Sequence, residues 1–143
     1  MPQLNPRELD VLNILWKVDK PMTSTDIVNE QRGLTQSTVI AVLRKLLKDN
    51  LVEAVGVTHS GKVLSRIYRP TETSRKVILD NFVSDYSNFK DVFPKYDFII
   101  AILDMERNLD QRKSEISELK KILADYEKKI ELNNPQKISH ICF

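Results

Sequence analysis

TSTDIVNEQRGLTQSTVIAVLRKLLKDN, Thr23 to Asn50, holds two helix starts, a tight turn and one amphipathic stripe. Thr23 stands three residues before Asp26, the form of a capping box with Asp in place of the usual Glu. Ile27 and Val28 give this first helix an apolar side for about two turns. Gly33 is its expected C-cap. A longer helix starts at Thr35 and runs to about Asn50. Val39, Val42, Leu43, Leu46 and Leu47 recur at helical spacing and form its buried stripe. Gln36, Ser37, Ile40, Ala41, Arg44, Lys45 and Lys48 fall on its other sides. A short helix, a tight turn and a longer helix that is basic on its outer side make a helix-turn-helix arrangement.

Outward from this stretch, the flanks complete a larger unit. Upstream, Asn5 caps a helix, Pro6 suits its first position, and Glu8 stands three after the cap. Leu9, Leu12, Ile14, Leu15 and Trp16 give that helix a broad apolar face, and Trp16 is expected in the core. The helix stops near Val18. Downstream, Leu51–Thr58 and Val63–Arg69 are two β-prone runs, with His59-Ser60-Gly61-Lys62 as the turn between them. Three helices followed by a hairpin is the layout of a winged helix-turn-helix, so the expected fold is mainly α with a single hairpin.

Pro70 marks the end of that unit. Helical patterning resumes over about Ser74–Val92, a very apolar run covers Phe98–Leu103, and a last helix spans about Leu109–Leu132. Ile116, Leu119, Leu123, Tyr126 and Ile130 step by three and four, a heptad-like seam. A seam this regular, after a unit that closes its own core, points to a second copy of the chain, with Phe98 and Ile102 joining the contact. The expected organisation is a winged-helix domain over residues 1–70, a helical dimerisation region over 71–132 and a polar tail over 133–143.

The chemistry of the first unit is that of a groove reader. A helix about 10–12 Å wide fits the DNA major groove. The outer residues of its first turns, Thr35, Gln36, Ser37, Thr38, Ile40, Ala41 and Arg44, face base edges or the adjoining backbone. Gln pairs with adenine and Arg with guanine through two hydrogen bonds. Ile40 fits either the core or a thymine methyl. Thr23 and Ser24 open the short helix, whose first N–H groups suit a phosphate oxygen. Lys45, and Lys62 and Arg66 on the hairpin, reach phosphates or serve only as solvated surface charge.

Bulk composition agrees. The chain has 143 residues, 41% apolar and 29% charged, with three glycines, which leaves little for a Gly-rich phosphate cradle. Residues 1–70 carry ten Lys/Arg and seven Asp/Glu, a net +3, and the remainder carries −1. Cys142 is the only cysteine, so no disulfide or thiolate cluster forms within the chain, which fits a reducing cytoplasm. His59 and His140 are too few for a metal site. No apolar run reaches about 18 residues and no basic-then-apolar leader opens the chain. No catalytic constellation, cofactor or membrane partner is expected. The expected partners are double-stranded DNA and a second copy.

Several segments resemble one family. Glu8-Leu9-Asp10-Val11-Leu12-Asn13-Ile14-Leu15-Trp16 resembles the opening helix of the penicillinase and methicillin-resistance repressors (the BlaI/MecI/CopY type). Thr23 to Val28 resembles their second helix. Thr35-Gln36-Ser37-Thr38-Val39, with Leu43, Lys45 and Leu46, resembles their recognition helix. Ile67-Tyr68-Arg69-Pro70 resembles the end of their wing. The resemblance covers roughly residues 5–70 and implies a dimeric repressor on a palindromic operator. Where the family often has basic residues, this chain has Ser37 and Ile40, so no operator sequence carries over. The cysteine cluster of the copper-sensing branch is missing. Asn-Phe pairs, the cleavage site of the β-lactam-responsive members, occur at Asn81-Phe82 and Asn88-Phe89. The comparable stretch near Ala101-Ile102-Leu103 has none. A MarR-type regulator and a winged-helix adaptor for protein partners share the layout. Steep salt dependence separates DNA binding from the adaptor.

Overall fold

In the computed structural model, residues 3–134 are described. The elements are α1 (Pro6–Val18), α2 (Ser24–Glu30), α3 (Gln36–Lys48), β1 (Val52–Ser60), β2 (Val63–Pro70), α4 (Glu72–Phe89), α5 (Lys95–Met105) and α6 (Leu109–Asn133). Three helices, an antiparallel hairpin and three further helices realise the mainly helical, winged helix-turn-helix layout. Cys142, His140 and the tail from Pro135 lie outside the described residues.

Two compact units divide the chain, one up to Asn88 and one from Phe89. In the first, α1 opens on a complete capping box. The Asn5 side chain accepts from the Glu8 N–H at 2.9 Å, and Glu8 Oε2 accepts from the Asn5 N–H at 3.3 Å. Thr23 and Asp26 form the second box, at 3.1 and 3.0 Å. Here Asp serves because its shorter arm still spans one turn. Both boxes satisfy N–H groups that a helix start leaves orphaned.

Local signals misplace three details. Helix α2 ends at Glu30 with extended Gln31 as its C-cap, so Gly33 is not the cap. Gly33 instead takes φ +89° in the turn toward α3, a left-handed geometry that a side chain resists. The hairpin turn is only Gly61-Lys62, because Ser60 already pairs with Val63, and His59 therefore lies in β1 opposite Leu64. The strands are longer than their β-prone runs because cross-strand pairing, a nonlocal effect, extends them. A bulge at Val55 shifts the register between Ala54 and Gly56.

The core joins α1, α2, α3, the start of β1 and one turn of α4. Val11, Leu12, Leu15, Ile27, Val39, Leu43, Leu46 and Leu51 are at most 2% exposed. Met22 and Tyr68 exchange backbone hydrogen bonds at 2.9 and 2.8 Å, which stitches the α1–α2 loop to β2. Trp16 is half-buried at the rim of the core rather than in it. Its indole N–H donates to Ser74 Oγ at 2.9 Å, and the Arg75 guanidinium lies 4.6 Å from its ring centre. The hydroxyl of fully buried Ser74 donates in turn to the Thr71 carbonyl at 2.6 Å. An indole needs a partner for its N–H, and α4 supplies one at the edge.

In the second unit, α5 and α6 bury no residue. Phe98, Ile102, Ile116, Leu123, Tyr126 and Ile130 are exposed and Leu119 is half-buried. Asn108 caps α6 by accepting from the N–H groups of Asp110 and Gln111.

Candidate nucleic-acid interface

The stripe of α3 divides its residues cleanly. Val39, Val42, Leu43 and Leu46 are buried against the core. Gln36, Ser37, Ile40, Ala41, Arg44 and Lys48 are exposed. Ile40 is 43% exposed, which resolves its two readings against the core. Its neighbour Val39 already fills the inward position, and one residue is a rotation of about 100° on a helix.

The start of α3 is ordered by its own hydroxyls. Thr35 Oγ1 accepts from the Thr38 N–H at 3.2 Å and donates to Thr38 Oγ1 at 2.8 Å. Gln36 Nε2 donates to Ser24 Oγ at 2.6 Å. That bond joins the first turns of α2 and α3 and leaves the second amide hydrogen and the carbonyl of Gln36 for other partners. Thr23 is buried, and its hydroxyl is occupied by the cap.

The cations separate into two kinds. Arg44, Lys48, Lys62 and Arg66 are exposed, the last two on the hairpin. Lys45 Nζ instead lies 2.5 Å from Glu8 Oε1. The hydrogen bond to Glu8 holds the Lys45 ammonium above the ordinary lysine range, desolvation opposes it less strongly, and the charges of Glu8 and Asp49 add to it. On β2, Arg69 is paired with Glu53 at 2.5 Å.

Sequence reasoning did not find the Glu8–Lys45 pair, the Gln36–Ser24 bond or the Trp16–Ser74 bond. It also passed over an apolar row on α4, where Leu79, Phe82 and Val83 are each about 60% exposed. Their spacing of three and four carried the signal.

Among the described residues there is no group of acidic, histidine or cysteine side chains placed to hold a metal ion. No described helix is long and apolar enough to cross a membrane.

Solved structures similar to the chain include a PadR family transcription regulator from Clostridium difficile. It is 16% identical, covers 64% of this chain and 98% of its own, and has a TM-score of 0.46. The transcriptional regulator BldR from Sulfolobus solfataricus is 20% identical over 85% of this chain and 75% of its own, with a TM-score of 0.44. The adhesin competence repressor AdcR from Streptococcus pyogenes is 15% identical over 90% and 81%, with a TM-score of 0.42. No curated protein matches. The penicillinase repressor family matches residues 4–125, nearly the whole chain. The chain therefore belongs to the penicillinase repressor family and is a DNA-binding transcriptional regulator.

Proposed function

We propose that the protein is a homodimeric repressor that binds a palindromic operator, one winged helix to each half-site. The observation that carries this reading is the division of α3. One face is buried in the core, while the other offers Gln36, Ser37, Ile40, Ala41 and Arg44 to solvent. A helix held this way presents a fixed row of side chains to the major groove. The hairpin, with Lys62 and Arg66, lies along the neighbouring backbone. The homodimer rests on a second observation. Neither α5 nor α6 buries a residue, although both carry large apolar side chains. An exposed apolar row of that length favours a partner surface.

Selection of bound sequences from a random duplex pool tests the reading. It should return an inverted repeat whose half-sites are centred about one helical turn apart or a multiple of it. Recovery of no preferred sequence, with binding insensitive to salt, would favour the protein-binding adaptor.

Two substitutions sort the contacts. Gln36→Ala and Arg44→Ala should each relax preference at one symmetric pair of operator positions. The loss should be about 1–3 kcal/mol of discrimination, the worth of a two-bond base contact. Repeating the pool selection with each variant measures this. Uniform weakening with unchanged preference assigns the residue to the phosphate backbone. Lys62→Ala should weaken specific and scrambled duplexes about equally and lower the salt slope by about one. An unchanged slope takes the wing tip off the backbone.

A further inference from the structure

Two polar bonds tie α3 to its neighbours, one near each end. Gln36 Nε2 donates to Ser24 Oγ at 2.6 Å, and Lys45 Nζ donates to Glu8 Oε1 at 2.5 Å. The two ties stand roughly two and a half helical turns apart. One tie would make a pivot, whereas two fix the direction of a rod. The apolar stripe between them supplies adhesion, but burial of apolar surface has no direction of its own.

The two partners in the second tie are unequal. The Glu8 side chain is 2% exposed and that of Lys45 is 51% exposed. Glu8 is also fixed by its own helix start, since it accepts from the Asn5 N–H at 3.3 Å and from Asn5 Nδ2 at 2.8 Å. It has no freedom to follow the lysine outward. A lysine that left for a phosphate would strand a buried carboxylate without a cation, which is strongly unfavourable. Arg44 and Lys48, one residue before and three after, are exposed and leave no buried carboxylate behind when they approach DNA.

We infer that Lys45 is a positioning residue of the DNA-binding surface. Its ammonium latches the recognition helix onto the first turn of α1. It governs base recognition through the angle of α3 and does not touch DNA. The inference rests on the reading of α3 as the groove-binding helix.

The test uses the full chain, a duplex recovered by the pool selection and a scrambled duplex of the same length. Lys45→Met keeps the stem and removes the charge. Its ratio of specific to scrambled affinity should fall about tenfold, on the scale of one base contact. Its salt slope on the scrambled duplex should equal that of the wild type. Lys45→Arg should retain most of the ratio. Glu8→Gln, buried in α1, should lower the ratio as Lys45→Met does, and the double variant should be no worse than the poorer single one.

A slope lower by about one in Lys45→Met places the lysine on a phosphate and overturns the latch. An unchanged ratio beside a lowered melting temperature makes the pair merely structural and also overturns it. Scrambled-duplex binding reports whether each variant is folded. Should Lys45→Met fail there, Lys45→Arg and Glu8→Gln decide the matter by the same ratio. If the wild type shows no salt-dependent duplex binding, the DNA-binding reading itself falls. If the wild type binds and only the slope of Lys45→Met drops, the latch alone falls.

Discussion

Replacing Leu119 and Leu123 together by Asp should give a monomer in light scattering and cost about a hundredfold or more in operator affinity. Both residues lie on the row of α6 that also carries Ile116, Tyr126 and Ile130. In the single chain Leu123 and Tyr126 are each about 60% exposed. In a paired state each Asp would sit in an apolar seam without a cation, at a cost of several kcal/mol per unpaired charge. The isolated chain carries a smaller penalty, since no residue of α6 is fully buried and Leu119 is only half-buried. The variant should therefore keep its helix content while losing its partner. The affinity loss follows from linkage. Two half-sites held by one dimer act at high effective concentration, which is worth about 10²–10⁴ in avidity. A double variant that stays dimeric would remove α6 from the interface.

Leu46→Ala should lower the stability of the first unit by about 2–5 kcal/mol, read from denaturant titration. Leu46 is fully buried on α3, in the stripe it shares with Val42 and Leu43, and its carbonyl accepts from the Leu51 N–H just before β1. Truncation loses the transfer free energy of the missing carbons and leaves a void that a closed α1–α2–α3 core cannot fill. Small domains have only about 5–15 kcal/mol in total, so the effect takes a large fraction of the whole. DNA binding should survive in the cold and fail on warming, in step with the lowered transition. A loss below about 1 kcal/mol would mean that the site collapses freely, and the rigid seating of α3 would then be in error.

What the sequence made legible was local. The caps Asn5, Thr23 and Thr35 signal their helix starts within four residues, and the structure has the first two boxes complete and the third hydroxyl engaged. The stripe of α3 is likewise written in one period. Gly33 misleads because its left-handed conformation is real but belongs to a turn that begins only after extended Gln31. Ile40 is ambiguous on a helical wheel, because it borders the stripe, and only the packing of Val39 places it outside. Lys45 is the most instructive case. Its position among outward residues reads as a solvated or phosphate-reaching cation. The partner that claims it, Glu8, is 37 positions away and looks in the sequence like nothing more than the acid of a capping box. Pairwise contacts across that distance leave no periodic trace.

The backbone pairing of Met22 with Tyr68 also has a consequence in time. Met22, in the segment between α1 and α2, finds its backbone hydrogen-bond partner in the return strand of the hairpin. Thr71, just beyond that strand, donates to the Leu51 and Asn50 carbonyls as well. A nascent chain that has emerged only through α3 lacks these closures. It must wait for a distant strand, and loops of that length close late and at an entropic cost. Newly made protein should thus fix the exposed face of α3 in one late step, after the hairpin has been synthesised, rather than helix by helix.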